Sequence, residues 1–154
     1  MTPDPDLDLV LERQIAAAPE TLWRCWTEPA LICQWFCPAP WHVSEAVIEP
    51  HPGGRFFTRM RGPNGEDMPG EGCILAAEPA RRLVWTDALQ AGFRPNAQSF
   101  MTAEVTFTPN AGGTAYRAHV QHASAEARKQ HEDMGFHDGW GTVATQMEAL
   151  AKTL

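Results

Sequence analysis

Residues 139–151 read GWGTVATQMEALA. Trp140, Val143 or Ala144, Met147, and Leu150 or Ala151 recur at helical spacing, so one apolar stripe runs down this stretch. Ser124 can cap a helix start, and the helical pattern extends from there to Lys152. Gly135, Gly139 and Gly141 interrupt it, each costing about 1 kcal/mol against Ala in a helix. They mark a break, or a close approach to whatever the helix packs on.

Upstream, from Trp41 to about His122, the period changes to two. Met101, Ala103, Val105 and Phe107 share one face; Thr102, Glu104 and Thr106 share the other. Phe56, Thr58 and Met60 oppose Phe57, Arg59 and Arg61, which turns Phe56 and Met60 inward. Leu83 and Trp85 share a face, as do Tyr116, Ala118, Val120 and His122. Turn signals at Pro52-Gly53-Gly54, Gly62-Pro63-Asn64-Gly65 and Pro109 to Gly113 separate these runs. The pattern is an antiparallel meander with one wet face. Further upstream, Leu9 to Ile15 reads as a strand. Pro19 opens a helix whose Leu22, Cys25 and Trp26 form a stripe. Pro29 begins a second short helix, reaching Phe36 and stopped by Pro38 and Pro40. Residues 1–8 read as a flexible tail and 9–154 as a single domain.

The order is strand, two short helices, further strands, long helix. One helix cannot tightly cover a broad curved sheet. The expectation is an α+β layer arrangement, with about seven strands wrapped around the C-terminal helix and a cavity between them.

Composition narrows the classes of function. The formal charge is -7, from 12 Lys+Arg against 19 Asp+Glu, and a phosphate-tracking nucleic-acid binder is normally basic. No apolar run approaches the roughly 20 residues needed to span a bilayer. The acidic, proline-containing start Met1 to Asp6 has no secretory pattern, so a cytoplasmic protein is expected. Cys25, Cys33, Cys37 and Cys73 lack the close pairs of a zinc site or the spacing of a ferredoxin, and read as small buried hydrophobes. No cofactor is expected.

Several short segments together resemble one family. They are Ala18-Pro19-Glu20 through Trp26-Thr27-Glu28-Pro29; Pro52-Gly53-Gly54-Arg55-Phe56; Glu78-Pro79 with Arg82-Leu83-Val84; and Met134-Gly135-Phe136-His137-Asp138-Gly139-Trp140. Their order and spacing are similar to the START-like (SRPBCC, helix-grip) superfamily, in the branch named after the activator of heat-shock protein 90 ATPase. His51 departs from that branch, which usually carries Arg before the Pro-Gly-Gly turn. The resemblance implies a deep cavity between helix and sheet that takes lipids, polyketides or other apolar molecules. It also implies two alternatives: a cyclase- or hydrolase-like enzyme, and a co-chaperone-like module acting on an ATPase. Reductase chemistry, another label in this branch, has no dinucleotide fingerprint here to support it.

On this reading Trp35, Phe56, Met60, Trp85, Met101, Tyr116 and Trp140 surround the cavity, although each also suits an ordinary core. His122, by strand parity, and His137, one turn before Trp140, are candidate polar anchors or acid/base groups. For His137 the plainer reading is a surface i, i+4 pair with Asp133. His122, His137, Tyr116 and Glu45 are the candidates for a catalytic pair, and enzymatic function requires two of them within about 3 Å. Glu45 and Glu49 also read as a solvated face. Arg55, Arg59 and Arg61 form an outer row that can pair with acids across strands or meet a chaperone partner. His119 and His122 should face opposite sides of their strand, and no histidine pair has metal-site spacing. A sheet edge or the Trp41 region offers a place for a homodimer.

Overall fold

The computed structural model describes residues 1–154. β1 (Asp8–Ile15) leads to α1 (Pro19–Thr27) and the short α2 (Pro29–Ile32). Then come β2 (His42–Ile48), β3 (Arg55–Arg61), β4 (Asp67–Glu78) and β5 (Arg82–Thr86). A small hairpin, β6 (Leu89–Gln90) and β7 (Arg94–Pro95), precedes β8 (Thr102–Asn110) and β9 (Gly113–Gln121). The chain closes with α3 (Ala125–Asp133) and α4 (Phe136–Ala151). Seven strands form one antiparallel sheet in the order β1-β9-β8-β5-β4-β3-β2. No helix is long and apolar enough to cross a membrane.

Alternation decides the faces. Leu9 and Leu11 of β1, Val105 and Phe107 of β8, and Tyr116 and Val120 of β9 lie in one cluster of 23 buried residues. The helices cover that face, with Phe136, Ala144, Met147 and Ala151 of α4 in the same cluster. Bulges at Val43/Glu45 in β2 and Ile74/Ala76 in β4 shift the register there and bend the sheet. Gly54 sits where backbone crowds: a Cβ there would lie 1.9 Å from the Glu49 carbonyl oxygen, so only glycine fits this turn.

One expectation needs correction. The helical stretch from Ser124 to Lys152 is two helices. Gly135, at φ 93°, adopts the left-handed conformation that glycine tolerates, and the chain turns there. Gly141 is the close approach, with Arg13 of β1 pressed against it, while Gly139 opens onto empty space. Residues 1–8, read from the sequence as a tail, make contacts of their own. Asp4 closes a turn by accepting from the Leu7 and Asp8 N–H groups, and the Asp8 carboxylate accepts from Asp4 N–H. The Leu7 carbonyl accepts from His122 N–H, so this segment is tied to the end of β9.

Candidate functional site

Between the sheet and the helices lies a cavity of about 490 Å³. Its floor is aromatic. Phe56 of β3 and Trp85 of β5 stack at 4.3 Å with planes 6° apart, and Phe36 tilts against both. Trp26 of α1 meets Trp35 and Phe36 edge to face at 4.9 and 5.6 Å. Such offset and edge contacts each add about 0.5–1.5 kcal/mol beyond buried area, so this wall is fixed. The α4 residue Gln146 holds the segment leading into the cavity: its Nε2 donates to the Trp35 and Cys37 carbonyls, and its Oε1 accepts from Ala39 N–H. The Asp87 carboxylate accepts from Phe100 and Met101 N–H, which seats both residues in the cavity wall. At the rim stand Met134, 68% exposed beside the Gly135 break, and Met68 of β4, 57% exposed.

Trp35, Phe56, Met60, Trp85, Met101, Tyr116 and Trp140 all lie in the cavity wall. His122 and His137 do not. His137 is exposed on α4, and no hydrogen bond or ion pair joins it to Asp133, which pairs with Lys129 instead. Glu45 is exposed on the outer face of β2, 3.6 Å from Arg59. Arg59 and Arg61 also pair with Asp67, and Arg55 with Glu71, so the outer arginine row is internally compensated. No hydrogen bond joins any two of His122, His137, Tyr116 and Glu45, so that catalytic pair does not form. Cys37 lies in the cavity wall and Cys25 is buried; burial pushes both thiols up to about 11, away from the reactive thiolate. No group of three or more His, Cys, Asp or Glu side chains is arranged to hold a metal ion.

His122 is 6% exposed and sits on the inner side, as parity requires, but behind another histidine. Its Nδ1 lies 2.9 Å from the Leu7 carbonyl oxygen, and its Nε2 lies 2.9 Å from Nδ1 of His131. His131, 7% exposed and the one buried residue of α3, is in the cavity wall. Its ring touches Phe100 at 4.7 Å, Phe136 at 5.2 Å and Trp140 at 6.4 Å. Burial, with His122 adding to it, lowers its pKa to about 4, so it is neutral near pH 7. The helical pattern gave no sign of His131, because α3 carries no apolar stripe and the stretch reads as one helix with α4. Across the cavity, burial raises the Tyr116 phenol, and the Trp26 indole, which approaches it, offsets part of this. That approach does not close a hydrogen bond of normal geometry. Trp26 Nε1 and Trp85 Nε1 are buried without an acceptor.

A curved antiparallel sheet gripping a C-terminal helix around an apolar cavity defines a helix-grip protein. The chain belongs to the activator of Hsp90 ATPase homolog 1-like family, whose model matches residues 16–152. Among solved structures it is similar to protein NE0264 from Nitrosomonas europaea, at 43% identity and TM-score 0.95, with 97% of each chain covered. A Rhodobacter sphaeroides protein is similar at 27% identity and TM-score 0.85, covering 99% of this chain and 97% of that one. An AHSA1-like protein from Aeromonas hydrophila shares the fold at 18% identity and TM-score 0.70, covering 96% and 93%. No curated protein matches the chain. Family membership supports a ligand-binding or interaction module in general terms.

Proposed function

We propose that the protein binds a small apolar, ring-bearing molecule in the cavity between α4 and the sheet. The cavity itself carries this reading. Packed interiors leave few voids larger than a water molecule, whereas this one has about 490 Å³ behind a rigid aromatic wall. That volume lies within the roughly 300–1,000 Å³ of small-molecule sites. The methionines at the rim suit an adaptable entrance, because their unbranched side chains repack easily. The arginine row supports a partner-protein reading less well, since its charges already meet acids of the same sheet.

Native mass spectrometry of freshly purified protein tests this. A stoichiometric small-molecule adduct is expected, released on denaturation. Gly139 lines the cavity and a Cβ there meets nothing within 4 Å, so Gly139→Leu starts in open space and grows into the volume a ligand would take. This variant should emerge bare, with stability unchanged or raised by up to about 1 kcal/mol from better helix propensity. A wild-type chain that stays bare after exposure to an aromatic and polyketide panel would overturn the reading.

A further inference from the structure

With one proton on each ring, the contacts of the His122–His131 pair fix where those protons sit. The Leu7 carbonyl oxygen can only accept, so His122 Nδ1 carries its proton. The Nε2 of a neutral His122 is then a bare lone pair, and it can only accept from His131 Nδ1–H. Neutral His131 has one ring proton, now committed to His122. Its Nε2 is therefore an unprotonated acceptor, and it is the one polar ring atom that His131 has left for the cavity it lines. A backbone carbonyl thus sets, through two rings, the polarity of one point in a wall that also holds Thr58, Glu71 and Asp87, and that point lies among aromatic rings.

We infer that the cavity selects a ligand whose aromatic ring carries a hydroxyl group, and that this hydroxyl donates to His131 Nε2. The inference rests on the reading of the cavity as a ligand site and adds the chemistry of one directional contact, in a wall where the Trp26 and Trp85 indole N–H groups also lack a partner. Phe100, Phe136 and Trp140 around the imidazole supply flat apolar surfaces for the ring that bears the hydroxyl. The low pKa of His131 agrees with this, since a protonated imidazole would offer a donor instead. A ligand with a carbonyl or ether at this point leaves two lone pairs facing each other and loses a buried hydrogen bond.

The test compares 2-naphthol with 2-methoxynaphthalene, which keeps the rings and the oxygen but has no proton to donate. Binding is read by quenching of the tryptophans in the wall. Wild-type protein should bind the naphthol about ten-fold more tightly, the size of one net hydrogen bond at the upper end of its range. His131→Phe should bind both probes alike. In ¹⁵N spectra of the wild-type histidine rings, His131 Nε2 should be unprotonated and should shift with naphthol but not with the ether. Equal binding of the two probes by wild type, or a protonated Nε2 in the free protein, would overturn the hydroxyl inference while leaving the cavity reading intact. Failure of both probes to bind would count against the cavity reading for ligands of this size, and the hydroxyl inference falls with it. If His131→Phe does not fold, the wild-type probe ratio and the ¹⁵N spectra still decide.

Discussion

His119 and His122 stand three residues apart at the end of β9, face opposite sides of the sheet, and are both buried. Their surroundings could hardly differ more. His119, 0% exposed, lies on the outer face with Nε2 2.7 Å from the Asp8 carboxylate. Its Nδ1 stands 3.7 Å from Glu104, beyond hydrogen-bond reach. Glu104 is held in turn by Arg82, and the Met1 amino group lies 4.0 Å from it. Burial disfavours the ionised Glu104, yet the Arg82 guanidinium keeps its carboxyl below the usual glutamate value. His122 meets a carbonyl, a second imidazole and aromatic rings instead. One strand therefore shows two solutions to the same problem. Outside, buried polarity is balanced by opposite charges; inside, it is balanced by neutral N–H donors passed along a line. Each leaves one ring nitrogen unmatched, Nδ1 of His119 and Nε2 of His131, and only the second belongs to a cavity wall.

The outer cluster should be the more fragile under substitution. Arg82→Ala strips the countercharge from Glu104, whose side chain is 4% exposed. Removing one partner of a fully buried pair costs about 3–5 kcal/mol; the Arg82 side chain is 30% exposed, so urea unfolding at pH 7 should show a loss at the low end of that range. An unchanged midpoint would mean that the cluster is wetter than its burial indicates.

Acid titration separates the two sides. The folded chain holds His131 at about 4 against about 6.5 when unfolded. Between those values the unfolded chain takes up a proton that the folded chain refuses. Stability due to this group is complete above pH 6.5 and falls as pH drops towards 4, by on the order of 3 kcal/mol. Glu104 acts lower, losing its contribution as pH falls below its ordinary value of 4.5 towards its lower folded value. His131→Phe should flatten the slope between pH 6.5 and 4 and leave the more acidic limb in place. A slope that survives this substitution would place its source elsewhere. The smallest effect belongs to His137→Ala. His137 is exposed and outside the cavity, so unfolding should move by less than about 0.5 kcal/mol and 2-naphthol affinity should not change.

The sheet was legible because strands such as Met101 to Phe107 alternate cleanly, and parity alone sorts inner from outer side chains. The same rule placed Phe56, Met60, Trp85 and Tyr116 on the cavity side and His119 opposite His122. It failed where the chain is not periodic. His131 stayed hidden because the turn at Gly135 resets the helical phase, so its relation to Phe136 and Trp140 cannot be counted along one helix. Phe100 belongs to a loop whose course depends on the Asp87 carboxylate, a contact 13 residues distant in sequence. The N-terminal turn was missed because its partners lie on β8 and β9, more than 80 residues away.

That last contact also has a kinetic side. The carbonyl that orients His122 belongs to residue 7, and the two groups are separated by 115 positions. β1 likewise pairs along its whole length with β9, from Asp8 opposite Gln121 to Ile15 opposite Thr114. During synthesis β1 waits as an unpaired edge until β9 emerges, and closing so long a loop places this pairing among the slow, late events of folding. The polarity of the cavity's one imidazole is thus set only when the start of the chain meets β9.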